Sequence, residues 1–516
     1  MVAPQGGAAN ACRFERMQGS LVSQAMNDIA NQVRVEQAAG AGDGPRILQV
    51  LPELNEGGAE RGTVDLAGYL IGEGWTALVA SAGGSGESEL KMLGATSVRL
   101  PLHSKNPFTM RANIRRLQRL IREHAVQLVH ARSRAPAWSA YYAAKRAKVP
   151  FVTTFHGVYQ GSDGLFKRRY NAIMARGERV IAISDYVAEH VRERYQVPPE
   201  RLRVIYRGID IAAFDSAAVA EERRALLAER WRLPAGANVV MLPGRVVRRK
   251  GHTLLLRALE RLPRRSFVCL MVGEVESGSY ANEVDGLIGA MGLREVVRMV
   301  GPCDDMPAAL TLADLVVVPS TLAPEPFGRV SVEAQAMGKP VIVTDVGGLG
   351  ETLMPAATGW LVPPDDVDEL TRALQLALAM PDDARARLAA RARRFVARNF
   401  TLEQMGRSTL AVCWRNKEEH CEQAVTEEPC QERARQDAAA RAGGGCGRRG
   451  GRGRRGVLPG ERSAELDAYP QRHPRPDRQI GREEGAAEER RGEDALSLSR
   501  PPGAGRSLTA IVRRRI

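Results

Sequence analysis

Short apolar runs, each followed by an amphipathic stretch, begin abruptly at Pro45. RILQVLP (46–52), TALVAS (76–81), QLVHAR (127–132), FVTTFH (151–156) and RVIAIS (179–184) form a first array. Their apolar residues are consecutive, not alternate, which predicts strands buried on both faces of a parallel sheet. The pattern restarts at Asn238 with NVVMLPGR, FVCLMVGE (267–274), VVRMVG (296–301), DLVVVPS (314–320) and KPVIVTD (339–345). Two strand–helix arrays predict an α/β chain of two doubly wound, Rossmann-like lobes.

The same pattern sets the expected domains. Residues 1–44 read as a disordered leader, 45–207 as the first lobe and 208–384 as the second. The hinge falls near Tyr206–Ile211. A helical Ala/Arg stretch occupies about 385–414, expected to cross back to the first lobe. Beyond it, 415–516 is a Gly/Arg/Glu-rich tail with no apolar period, read as disordered. No apolar run reaches the length that crosses a bilayer, and no secretory signal is visible. The seven cysteines form no CxxC pair, so a cytoplasmic setting without disulfide or zinc is expected. The net charge of +14 favours contact with phosphates, whether on nucleotides, nucleic acid or an anionic membrane.

The strongest chemical signal is APEPFGRVSVEAQAMGKPVIVTDVGG (323–348), between two predicted strands. Glu325 stands in the loop and Glu333 inside the helix that follows. Phe327 and Gly328 make a tight entry, so the amides of Arg329, Val330 and Ser331 are expected at a helix N-terminus facing the cleft. Such amides and their dipole bind a diphosphate. Carboxylates on either side of it suit the hydroxyls of a nucleotide sugar.

This segment resembles the signature of the family 4 (group 1) retaining glycosyltransferases, which have the GT-B fold; the likeness runs over about 46–412. The resemblance implies that Glu325 contacts the donor sugar and Glu333 the ribose. In MLPGRVVRRKGHTLLLRAL (241–259), Arg245 and Lys250 are placed to stabilise a leaving diphosphate. In TTFHG (153–157), it implies that His156 meets the donor sugar near the reacting carbon. Gly57 and Gly58, in NEGGAERGTVDLA (55–67), are either a plain strand-to-helix turn or a loop between donor phosphate and acceptor. Gly273 and Gly301 end strands, and the resemblance implies that the loops after them approach the nucleotide base and ribose. The sequence departs from the family at Arg207, where Asn commonly stands, after Gly273, and at Gly350, which replaces a proline before Glu351.

The expected activity is transfer of a sugar, hexosyl or related, with retention of configuration. It moves from a nucleotide-diphosphate sugar to a glycan or lipid-linked acceptor, in bacterial lipopolysaccharide or polysaccharide synthesis. No cofactor and no metal is expected. The Asp366-x-Asp368 spacing reads not as a metal motif but as a helix start, with Asp365 or Asp366 as the cap and Asp368 complementing the dipole. Arg111, Arg115, Arg119 and Arg122 line one helical face, and Lys167, Arg168 and Arg169 add to the same lobe. That face is either solvated or docks on the inner surface of the cell membrane. Two rival readings are a sugar-nucleotide epimerase on the same fold and a non-enzymatic RNA-associated binder using the Gly/Arg tail. Nucleic acid is not the expected partner.

Overall fold

The computed structural model describes residues 44–413, apart from 56, 160–163, 264–266, 276–277, 322 and the side chain of 165. The leader and the tail therefore lie outside the described residues, Gly44 excepted.

The first sheet is built from β1 (Arg46–Val50), β2 (Thr76–Ser81), β3 (Thr96–Arg99), β4 (Leu128–Ala131), β5 (Phe151–Phe155), β6 (Arg179–Ala182) and β7 (Leu202–Val204). Its order is β3-β2-β1-β4-β5-β6-β7, with every pairing parallel. The second contains β8 (Asn238–Pro243), β9 (Phe267–Val272), β10 (Val297–Gly301), β11 (Leu315–Val318), β12 (Val341–Thr344) and β13 (Gly359–Val362). Its order is β10-β9-β8-β11-β12-β13, again all parallel. The architecture is the expected pair of Rossmann-like lobes. Central strands β4, β5, β9, β11 and β12 are buried at every residue. That burial is the physical source of their largely apolar, uncharged runs, in which His130, Thr153 and Thr154 are the buried polar exceptions of β4 and β5.

Strands β3 and β7 carry no such run and β13 only the short GWLV, so all three escape the pattern. All three lie at a sheet edge, half-covered, and the residues they leave partly exposed include Thr96, Arg99 and Arg203.

Two chain segments run side by side where the lobes join. Ile209 donates its amide to the Phe400 carbonyl at 2.9 Å and accepts from the Leu402 amide at 3.1 Å. Gly208 is needed there, because a Cβ would come within 2.3 Å of the Thr401 carbonyl oxygen. The helix Asp382–Asn399 packs on the second lobe, with Arg385 on the Asp314 carbonyl and Arg391 on the Ala357 carbonyl. Phe400 packs edge-on against Tyr206, and helical residues 402–413 run on over the first lobe, where Val412 and Cys413 join the cluster around Leu70. No helix among the described residues is long and apolar enough to cross a membrane.

Candidate active site

In parallel sheets all strand-end loops emerge on one side, so sequence-distant motifs collect there. On the second lobe three such loops are tied in a row. Gly244 donates its amide to Val272 and Gly273 to Gly301, both at 2.8 Å. A Cβ on Gly273 would sit 2.2 Å from the Gly244 oxygen, so only glycine allows this approach. Arg245 follows, exposed at the mouth of the loop.

Lys250 ends a single 3-10 turn, Arg248–Lys250, and Gly251 turns the chain into the next helix with φ 72°. Gly251 lies so close to Pro319 that a Cβ would be 1.7 Å from its carbonyl oxygen. Thr321 also donates its amide to the Arg249 carbonyl at 2.9 Å. These contacts bring Lys250 to the loop that carries Glu325. The Lys250 ammonium donates to both Glu325 carboxylate oxygens, at 2.8 and 3.1 Å, and Ser320 donates to one of them at 3.1 Å. Arg249 stands 3.8 Å from the same carboxylate. Burial works to raise the Glu325 pKa, but Lys250, with Arg249 and Ser320, outweighs it and holds the carboxyl below its ordinary value. Gly347 and Gly348 admit this loop; a Cβ on Gly347 would meet the Glu325 carbonyl oxygen at 2.2 Å.

Phe327 is buried and Gly328 caps the helix Arg329–Ala336 with φ 95°. The amides of Arg329 and Val330 open the helix and have no carbonyl a turn back to bond. Ser331 departs from expectation. Its amide turns back to the Gly328 carbonyl at 3.0 Å, and its hydroxyl is bound inside the lobe to Thr352 and Gln335. Only two amides, not three, are available to an anion, because the first turn tightens onto its cap.

Glu333 is 8% exposed, and its carboxylate is held by Arg329 Nε at 2.6 Å. Burial raises its pKa, against the pull of Arg329. Arg329 extends further, donating to Asp65 of the first lobe at 3.1 Å. Asp65 also accepts from Arg61 at 2.6 Å. An ion-pair chain Arg61–Asp65–Arg329–Glu333 thus crosses the cleft.

His156 sits at the end of β5, and its neighbour Gly157 abuts Pro326, 3.2 Å from an added Cβ. The His156 ring, however, turns into a first-lobe pocket with His130, Thr154, Arg132 and Arg207. Burial, then Arg132 and Arg207, push its pKa well below the ordinary 6.5, so it is neutral. The structure therefore brings Lys250 and Glu325 together, joins Glu333 to the cross-cleft chain, and seats His156 behind the loop of Glu325. Gly57 caps the helix Gly58–Gly72, and Gly58 faces Arg207.

Several polar residues here carry no local sequence signal of their role. Glu351 accepts the Asp185 and Tyr186 amides at 2.7 and 2.8 Å, at the N-terminus of a first-lobe helix. Ser184 donates to the Pro326 carbonyl at 2.7 Å. Arg132 and Arg207 are buried. The unusual residue at 207 and the glycine before Glu351 were the only hints. Asp366 caps the helix Val367–Leu378 through the Glu369 amide at 2.9 Å, while Asp368 pairs with Arg261.

Comparison with known proteins agrees with this geometry. The profile "Glycosyltransferase Family 4" matches residues 56–213, and "Glycosyl transferases group 1" matches 224–395. A D-inositol 3-phosphate glycosyltransferase of Salinispora tropica is 31% identical over 57% of this chain and 64% of its own. The chain thus spans just under two thirds of that relative. The alpha-D-kanosaminyltransferase of Streptomyces kanamyceticus is 31% identical over 57% of this chain and 78% of its own. A glycosyltransferase crystal structure from Rickettsia africae superposes with a TM-score of 0.68 at 35% identity, over 73% of this chain and 99% of that one. HepE of Anabaena in complex with UDP shows the same fold, with a TM-score of 0.62 at 24% identity, covering 71% and 98% of the two chains.

Proposed function

Since the chain belongs to the family 4, group 1 glycosyltransferases, we propose that it transfers a sugar from a nucleotide-diphosphate sugar to a glycan or lipid-linked acceptor with retention of configuration. The observation that carries this reading is the Lys250–Glu325 pair beside the open N-terminus of the helix Arg329–Ala336. Lys250, Arg245 and the amides of Arg329 and Val330 stabilise the departing diphosphate in a site partly closed to water, where fixed charges act strongly. Glu325 holds the donor sugar and Glu333 takes the ribose, while His156, turned into the first-lobe pocket, backs the Glu325 loop and does not touch the sugar. The bond from the anomeric carbon to the diphosphate oxygen breaks as the acceptor oxygen bonds on the same face. The acceptor's proton passes to the departing diphosphate oxygen.

Two side-chain cations give the leaving group the charge that a divalent metal supplies in other transferases, so transfer is proposed to need none. A thermal-shift screen of the full chain against UDP-, GDP- and ADP-sugars should yield one base that stabilises it. Transfer from that donor should persist in EDTA, and the product anomer, read by NMR, should match the donor's. A protein stabilised by no nucleotide sugar would end the proposal. Conversion of the donor with no acceptor present would favour the epimerase.

The acceptor is proposed to be lipid-linked, in surface polysaccharide or lipopolysaccharide synthesis at the cytoplasmic membrane face. Arg111, Arg115, Arg119 and Arg122 are all exposed on the helix Pro107–Glu123, as are Lys167, Arg168 and Arg169. Phe108 and Phe166 project beside them, 83% and 93% exposed. Ser139 bonds Met110 and Trp138 bonds Tyr170, so both basic segments flank one turn of the helix Arg134–Ala147. Cations with aromatic tips suit an anionic interface. Cosedimentation with phosphatidylglycerol vesicles should be strong at low salt and fall at high salt. No binding at low salt removes the membrane from the scheme.

A further inference from the structure

We infer that Arg132 and Arg207, with the first turn of the helix Gly58–Gly72, form a second anion site on the first lobe that takes a phosphoryl group of the acceptor. This inference rests on the glycosyl-transfer reading and names the acceptor's chemistry. Arg132 and Arg207 are 6% and 8% exposed, and neither has a salt bridge to a carboxylate among the described residues. Arg132 Nε and Arg207 Nη2 have no hydrogen-bond partner among the described residues, although Arg132 Nη1 donates to Gln49 at 3.2 Å. Both imidazole nitrogens of His156 and Nδ1 of His130 are likewise buried without partners.

Burying cations side by side is costly unless a counter-charge joins them. Asp65 and Glu60 attract both guanidinium groups and Glu333 attracts Arg207, but none forms a salt bridge with them among the described residues, and Asp65 is committed to Arg61 and Arg329. Burial and mutual repulsion draw Arg132 down to about 9, and burial with Arg329 draws Arg207 to about 10. The Arg207 guanidinium lies where side chains on Gly58 and Gly62 would be, 2.6 and 2.5 Å from an added Cβ. Glycine one turn apart on the helix face opens the room the guanidinium uses. Cations and the positive end of a helix dipole converge there, a setting for a dianion.

The donor diphosphate already has Lys250, Arg245 and a helix N-terminus on the second lobe. Arg132, Gly58 and Gly62 belong to the first lobe, and Arg207 to the join between the lobes, which points to the acceptor's anion. The pocket measures about 20 Å³, room for one water, so the Arg132 and Arg207 side chains must shift apart for a phosphate to enter.

The test titrates inorganic phosphate into the full chain saturated with the nucleoside diphosphate found in the screen. Phosphate should bind this complex and raise its thermal midpoint. Arg207→Gln and Arg132→Gln should each weaken phosphate binding about tenfold or more, with nucleotide affinity retained. Without phosphate, both variants should be at least as stable as the parent, whereas a purely structural arginine would lower stability when removed. Arg207→Lys, which keeps the charge, should lose less phosphate affinity than Arg207→Gln. Displacement of phosphate by the nucleotide, phosphate affinity unchanged in both glutamine variants, or no phosphate binding at all would each overturn the inference. Nucleotide-sugar binding, measured separately, shows whether the glycosyl-transfer reading itself stands.

Discussion

Replacing Lys250 by methionine is expected to lower kcat by about 10²–10³, the cost of removing one fixed donor from a developing oxyanion. The effect is compounded because Lys250 carries the Glu325 carboxylate on two hydrogen bonds. Without the ammonium, burial goes less opposed and the Glu325 pKa rises. Glu325→Gln should fall by a similar factor, since the pair acts as one unit. The double variant should then be much less impaired than the product of the singles. Steady-state kinetics of the three variants, with folding checked by circular dichroism, reads this directly. Fully multiplicative losses would show that the two side chains work apart.

Arg329→Ala has the largest expected effect on stability. It strips a partner from Asp65, whose side chain is 2% exposed, and from Glu333 at 11%. Breaking a buried pair by removing one member costs about 3–5 kcal/mol. Here the lower end applies, because Asp65 keeps Arg61 and Arg329 itself is 21% exposed. A loss of about 3 kcal/mol in urea unfolding is therefore expected. Adding Asp65→Asn should return part of it by removing the stranded charge. If the double variant is less stable than Arg329→Ala alone, the cross-cleft chain is not what stabilises this region. Glu333 would also be released from Arg329, so donor affinity in the single variant reports whether that carboxylate needs its tether.

The legible part of this protein was its framework. Uncharged, largely apolar runs at 151–155 and 341–344 placed central strands, because burial on two faces excludes charge and admits only hydroxyls such as Thr153, Thr154 and Thr344 that find internal partners. The spacing of Glu325, Gly328 and Glu333 placed the loop and helix, since a glycine with positive φ before a helix is a local requirement. Edge strands such as Thr96–Arg99 were hidden, for their half-exposed residues read as loop. Ser331 was misplaced because the choice between an open amide and a 3-10 bond is made by the folded first turn.

What the sequence by itself determined, then, is two parallel-sheet lobes and the motifs at the carboxyl ends of their strands. These follow from near-neighbour patterns of burial and backbone freedom. Only the tertiary structure decided the partners. Arg329 meets Asp65 across 264 residues, Glu351 meets a helix start 165 residues away, and Arg132 and Arg207 come to share one pocket. No local period encodes such pairings, because charged side chains find one another only after the apolar surfaces have fixed where each loop must lie.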